Sequence, residues 1–371
     1  MRNEIRLLAL ALAALALGAA QEPGPVVIDL KGSISDLYLS PDGRQALVQT
    51  SGSGRGGVSL LDIAEKRDES VLFFNGPHLP TIACTPDWTV GATATWAAPT
   101  AGLGARGTTS VHIVDPRTMK TVRTIATFTS GLYNLSMNLS PNGKYLAYGM
   151  GNVSNFGGTD GKPGYQAGGI KVFDTSSGKE LLDISTNIDR ALSVAISPDG
   201  KYLVGHVYEK NVPSVRVWEL ATAKLVATLE GHTDLVSGIR FSPDGQWLVS
   251  VGHDGAAILW NPAKGFAKAA TLKKGPDVLY GKDFSPDGNL LAVAGKQGVI
   301  TVWNIKAKKP AFTFHLPNQK PRDKAGNQTI GRLSFDKQGK VLAASTWDGL
   351  VLIWPITAPT TTGTETKTED K

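Results

Sequence analysis

The stretch that decides the fold runs Gly231-His232-Thr233-Asp234-Leu235-Val236-Ser237-Gly238-Ile239-Arg240-Phe241-Ser242-Pro243-Asp244-Gly245-Gln246-Trp247-Leu248-Val249-Ser250-Val251-Gly252-His253-Asp254-Gly255-Ala256-Ala257-Ile258-Leu259-Trp260-Asn261. Short β-branched and apolar runs alternate here with two turns. In Ser242-Pro243-Asp244-Gly245, proline fixes φ, the aspartate bonds its own backbone and glycine takes the positive-φ position, so a tight β-turn joins Val236–Phe241 to Trp247–Val251. A third run, Ala256–Asn261, follows the Asp254-Gly255 turn, and a fourth, Ala267–Lys273, completes the unit. The spacing predicts four short antiparallel strands.

Working outward, the same turn recurs seven times, at Ser40-Pro41-Asp42-Gly43, Thr85-Pro86-Asp87-Trp88, Ser140-Pro141-Asn142-Gly143, Ser197-Pro198-Asp199-Gly200, Ser242-Pro243-Asp244-Gly245, Ser285-Pro286-Asp287-Gly288 and Asp336-Lys337-Gln338-Gly339. Downstream of each comes a β-rich run, in six cases ending in an acidic or amide residue: Val58–Asp62, Val111–Asp115, Ile170–Asp174, Val215–Glu219, Ala257–Asn261, Ile300–Asn304 and Val351–Pro355. Intervals between turns of 43 to 57 residues bracket the period of a four-stranded propeller blade, the excess lying in loops. Although 371 residues would suggest two or three domains by length alone, one repeating unit accounts for the chain. The expectation is an all-β, seven-bladed β-propeller of four-stranded antiparallel blades. The last blade has only three strands of its own, Ile330–Phe335, Val341–Ser345 and Val351–Ile356, so Val26–Leu30 is expected to supply the fourth and close the ring.

Over residues 26–356 the chain resembles the WD-repeat (WD40) propeller family. The likeness is carried by Gly231-His232, Phe241-Ser242-Pro243-Asp244-Gly245, Leu248-Val249-Ser250, Asp254-Gly255 and Ile258-Leu259-Trp260, in order and in spacing. The other repeats depart from it: Leu61, Val114 and Phe173 stand where the pattern has Trp, and none of them has the Gly-His start. The resemblance implies a structural hydrogen-bonded relay of His232, Ser250, Asp254 and Trp260 tying three strands together, and a protein- or peptide-binding role.

At the N-terminus, Arg2 and Arg6 precede an unbroken apolar run, Leu7–Leu17, and Gly18-Ala19-Ala20 follows. This reads as a secretory signal peptide over residues 1–20; the apolar run is much shorter than the ~20 residues that span a bilayer. The expected organisation is a signal peptide (1–20), a linker (21–25), the propeller (26–357) and a disordered Thr/Lys/Glu-rich tail (358–371). The protein is thus expected to be exported, periplasmic or extracellular, without membrane insertion of the mature chain. Its 38 Lys and Arg against 32 Asp and Glu are spread without a basic run, which argues against nucleic-acid binding. Cys84, the single cysteine, aligns with Leu39, Leu139, Ile196, Phe241, Phe284 and Phe335 and reads as an apolar core position.

No catalytic constellation is legible. His78, His112, His206, His232, His253 and His315 lie at no metal-ligand spacing, and there is neither a nucleophile elbow nor a phosphate-binding loop, so no metal or cofactor is expected. Three segments break the period, Trp96–Thr109, Asn152–Gly169 and His315–Thr329, and in a four-stranded meander all three open on one face. Trp96, Arg106, Phe156, Tyr165, Lys320, Arg322 and Lys324 on that face have the aromatic and cationic character of a partner-binding surface. The sequence therefore favours a non-catalytic scaffold docking a protein or peptide. Alternatives are a propeller enzyme, a lactonase-like hydrolase or oxidoreductase with its site at the channel mouth, and an envelope-assembly or polymer-binding factor.

Overall fold

The computed structural model describes residues 25–30, 32–52, 55–74, 81–97, 108–128, 132–152, 168–185, 188, 190–210, 212–273, 275–317 and 328–356. It contains 28 strands among these residues. After β1 (Val26–Asp29), the first blade is β2 (Ser33–Leu39), β3 (Gln45–Gly52), β4 (Arg55–Asp62) and β5 (Arg67–Phe74). The second is β6 (Thr81–Cys84), β7 (Gly91–Ala97), β8 (Thr108–Val114) and β9 (Thr121–Phe128). The third is β10 (Leu132–Leu139), β11 (Tyr145–Asn152), β12 (Gly169–Asp174) and β13 (Glu180–Ile184), and the fourth β14 (Arg190–Ile196), β15 (Tyr202–Glu209), β16 (Val212–Glu219) and β17 (Leu225–Leu229). The fifth, β18 (Val236–Phe241), β19 (Leu248–Gly252), β20 (Ala257–Asn261) and β21 (Ala267–Lys273), is the unit from which the sequence was read. The sixth is β22 (Leu279–Phe284), β23 (Leu290–Gly295), β24 (Val299–Asn304) and β25 (Lys309–His315); the seventh has β26 (Ile330–Phe335), β27 (Val341–Thr346) and β28 (Leu350–Pro355).

The seventh blade is completed by β1, which pairs antiparallel with β28, Val26 opposite Ile353 and Asp29 opposite Leu350. Inner and outer strands of one blade thus come from opposite ends of the propeller, and the ring is closed by joining them in one sheet. Each turn works as its residue types dictate. Ser242 Oγ donates to Asp244 Oδ1 at 2.5 Å, the Trp247 N–H donates to Ser242 Oγ at 3.0 Å, and Gly245 has φ +71°. The Ser40, Ser140, Ser197 and Ser285 turns repeat the pattern. In the second blade Trp88 takes the glycine place at φ +57°, with its side chain 1% exposed in the core. The acidic or amide residue ending the third strand caps the next turn: Asp62, Asp115, Asp174, Asn261 and Asn304 each accept a backbone N–H from two or three residues ahead.

The core lies between blades, which is why middle strands are apolar on both faces. Ala257, Ile258 and Leu259 are all fully buried, and Val204, Val215 and Val217 of the fourth blade pack with Ile239, Leu248, Ile258 and Trp260 of the fifth. Blades three and four come closer still, with Gly151 of β11 paired to Arg190 of β14. A Cβ on neighbouring Gly149 would stand 2.9 Å from the Ala191 carbonyl oxygen, so glycine permits this backbone approach. Among the described residues no helix is long and apolar enough to cross a membrane.

Candidate functional site

The inner strands β2, β10, β14, β18, β22 and β26 each carry a β-bulge near their start, where the register with the second strand shifts by one residue. A bulge re-aims the side chains that follow it. Counting back from the turn, the fourth residue before it is Asp36, Thr81, Ser136, Ser193, Gly238, Gly281 or Arg332, and the second is Tyr38, Ala83, Asn138, Ala195, Arg240, Asp283 or Ser334. These polar groups stitch neighbouring blades round the central channel. Ser136 Oγ accepts the Val194 N–H (3.0 Å), Asn138 Oδ1 the Ile196 N–H (3.1 Å), Ser193 Oγ the Ile239 N–H (3.2 Å), Asp283 Oδ2 the Phe335 N–H (2.7 Å) and Ser334 Oγ the Leu39 N–H (3.0 Å).

The channel also holds a charge cluster. Arg332 Nε lies 2.7 Å from Asp36 Oδ1, and Arg240 Nε 2.7 Å from Asp283 Oδ1. Burial raises the Asp283 carboxyl despite Arg240 and the Phe335 N–H, while the Asp36 carboxylate holds the Arg332 guanidinium up against its burial. Lys282 is the anomaly. It occupies the third place before the turn, where the other blades have Leu37, Ile82, Met137, Val194, Ile239 and Leu333. Burial, with Arg332 and Arg240 nearby, pushes its amine down to about 7. A Cβ on Gly238 would stand 1.8 Å from Lys282 Nζ, so glycine in β18 leaves the space through which the lysine side chain runs. Sequence reading missed Lys282, although aligning the inner strands on their turns exposes one cation in a column of apolar residues.

In the fifth blade the structure brings His232, Ser250, Asp254 and Trp260 together. His232 precedes β18, Ser250 is on β19, Asp254 in the β19–β20 turn and Trp260 on β20. His232 Nδ1 is 3.0 Å from Asp254 Oδ1, its Nε2 is 2.7 Å from Ser250 Oγ, and Trp260 Nε1 donates to the same Oγ at 2.9 Å. An ionised Asp254 only accepts, so Nδ1 carries the proton, Nε2 accepts the Ser250 hydroxyl and the Ser250 lone pair takes the indole N–H. Burial opposes the Asp254 charge, but the Thr233 and Ala256 N–H groups and His232 outweigh it and hold the carboxyl below its ordinary value. The Ser-His-Asp linkage has the connectivity of a hydrolytic triad. Its geometry is nonetheless that of a brace: Ser250 is fully buried, and its oxygen is occupied by Trp260. In the sixth blade Gly275 stands at the histidine's place and Gln297 at the Asp254 place; Asp277, two residues on, accepts the Gln297 N–H at 3.1 Å and pairs with Lys273 at 3.2 Å.

The three long segments spring from the same end of their blades, after β7, β11 and β25. Arg106, Phe156, Tyr165, Lys320, Arg322 and Lys324 lie outside the described residues; of Trp96 the backbone is described, paired with Thr109. The linker residues 21–24 and the tail 358–371 also lie outside them. On that same end the turns of blades five to seven present a row that sequence reading did not single out. The His253 and Tyr280 rings are 5.3 Å apart edge to face, Tyr280 and Trp347 are 4.7 Å apart, and Trp347, resting against Gly331, is 44% exposed.

The remaining chemistry-bearing residues are dispersed. His112 is held between Thr95 Oγ1 (3.0 Å) and Thr124 Oγ1 (2.9 Å), and burial lowers its pKa. His206 is buried on β15, His315 ends β25, and His78 lies outside the described residues. Cys84 is half-buried beside Leu47 and Trp88, and burial pushes its thiol up, away from nucleophilic character. Among the described residues no three His, Cys, Asp or Glu side chains converge as a metal site requires.

Seven antiparallel blades, a polar belt round the channel and a His-Ser-Asp-Trp brace in one blade define the class: a β-propeller with WD-type blade architecture. The family model described as WD domain, G-beta repeat matches residues 223–261, 280–304 and 322–355, in blades five to seven and the outer strand before them. The matched repeats and the seven-bladed ring are together consistent with a WD40 β-propeller protein. The sequence repeat is one strand out of phase with the blade, since residues 223–261 start in β17 and end at β20. No curated protein matches the chain.

Proposed function

We propose that this WD40-repeat propeller is an exported, non-catalytic platform that docks a protein or peptide partner on the end where its second and third strands are joined. The observation that carries the reading is the aromatic row His253–Tyr280–Trp347 on that end, with Trp347 44% exposed although it belongs to a hydrogen-bonded turn. An exposed indole adds little to the stability of the free protein, whereas at an interface centre it is a preferred anchor. WD40 propellers commonly mediate protein interactions, which supports the same reading. From the order of the strands in the sequence, we also include Trp96, Arg106, Phe156, Tyr165, Lys320, Arg322 and Lys324 in the proposed surface. The sealed environment of Ser250 speaks against hydrolysis at the brace. Export rests on the charged start, apolar run and small-residue exit of residues 1–20.

The test is partner capture from the extracytoplasmic fraction of the native host by wild-type protein and by Trp347→Ala. A variant that melts with the wild type yet loses a specific set of partners supports the platform. An unchanged set of partners would move the docking surface elsewhere.

A further inference from the structure

The central channel combines a cavity with an unbalanced charge. The cavity, about 130 Å³, is lined by Asp36 and Tyr38 of β2, Arg240 of β18, Lys282 of β22 and Arg332 of β26, with Ser136, Ser193 and Ser237 around them. Three cations line it with one carboxylate, Asp36; a second, Asp283, lines the adjoining cavity. Asp36 Oδ1 accepts from Arg332 Nε at 2.7 Å, and Asp283 Oδ1 lies 2.7 Å from Arg240 Nε as an ion pair without hydrogen-bond geometry. That leaves Lys282, for which no hydrogen bond or ion pair is present among the described residues. An ammonium withdrawn from water without a counter-charge is costly. Its place in the register is one where the other six blades have apolar residues, and Gly238 clears the way for its stem.

We propose that the channel is a receptor site for a small carboxylate, whose oxygens take Lys282 as their counter-ion with the Arg240 and Arg332 guanidiniums alongside. One missing negative charge matches a monoanion; a phosphate dianion would bring a second charge towards Asp36 and Asp283. The volume admits a molecule of a few heavy atoms. Access is from the turn end, where a larger cavity of about 330 Å³ shares Tyr38, Asn138, Arg240 and Ser334 with the inner one. An amine held at about 7 in the empty channel is pulled to its charged form when a carboxylate arrives, so binding takes up a proton near neutrality. The groups facing it are Asp36 and Tyr38, Arg240, Asp283 and Arg332; burial raises the Asp283 carboxyl as well, so the proton uptake is assigned to Lys282 by its loss in Lys282→Met. The site is independent of the aromatic row at the other end.

The experiment uses the protein labelled at lysine ε-carbons, with the Lys282 resonance assigned by its loss in Lys282→Met. It is titrated with sodium acetate, with sodium chloride at equal ionic strength and with inorganic phosphate. Acetate is expected to give a saturable shift, to move the Lys282 titration midpoint above about 7, and to bind at least tenfold more tightly than chloride or phosphate. Lys282→Met keeps a long apolar stem and is expected to fold and to lose the saturable acetate response, seen by calorimetry. Trp347→Ala is expected to keep it. An equal response to chloride, tighter binding of phosphate than of acetate, or undiminished acetate binding by folded Lys282→Met would each overturn the assignment.

Discussion

At His232 both ring nitrogens are used, Nδ1 by Asp254 and Nε2 by Ser250, inside a pocket where the histidine side chain is 6% and the aspartate 5% exposed. His232→Ala strands two buried partners and is expected to cost about 1 to 3 kcal/mol of stability in denaturant titrations. The difference has a pH dependence of known sign. Asp254 titrates below its ordinary value when folded, so its contribution is complete above about pH 4 and is lost as pH falls through the folded value. The gap between wild type and His232→Ala should therefore narrow on acidification below about pH 4. Gly255 offers a second test. It has φ +69° and its Cβ would stand 1.8 Å from the Gly275 carbonyl oxygen, whereas Gly265 has φ +64° and open space. Gly265→Ala should cost only the left-handed penalty of about 1 to 2 kcal/mol, and Gly255→Ala distinctly more. Equal losses would show that the close approach is not a constraint. The brace was legible in the sequence because its four residues lie within one repeat at family spacing. Lys282 was not singled out, because its meaning lies in comparison with six other blades.

At the scale of the strand, β1 is the element whose removal the ring should feel most. It covers the otherwise bare edge of β28, and Ile28 opposite Val351 is 5% exposed among Ile34, Val48 and Ile353. Ile28→Asp, which buries an unpaired charge, should lower the midpoint of thermal unfolding sharply. Asp29→Ala serves as a solvent-side comparison, since Asp29 is exposed. A melting temperature unchanged by Ile28→Asp would contradict the closure. Strand positions were readable because turn residues punctuate them: Val236–Phe241 was expected and found, and Trp247–Val251 became Leu248–Gly252. The bulges were not readable. In β22 the shift falls between Leu279 and Gly281, and no residue type there announces it. Without the bulges, the period-two alternation assigns channel-facing side chains to the wrong phase.

For the whole molecule, the partner-binding proposal makes a separable forecast. Trp347→Ala should change folding stability by less than about 0.5 kcal/mol, as for an exposed side chain, while abolishing capture of the partners that depend on it. Export makes another: protein recovered from its native compartment should begin near Gln21, and intact Met1 in the cytoplasm would contradict it. The sequence by itself determined the number of blades, their boundaries and the joining of the two ends. Those follow from local chemistry, a proline, an Asx side chain and a glycine repeated at each turn, with apolar runs between. Only the tertiary structure decided which side chains share a site. Tyr280 meets His253 and Trp347 across three blades, and Lys282 meets Arg240 and Arg332 across the channel. Such meetings depend on how far each blade is rotated about the axis and on where each inner strand bulges. Both are set by packing between blades, which no single repeat contains.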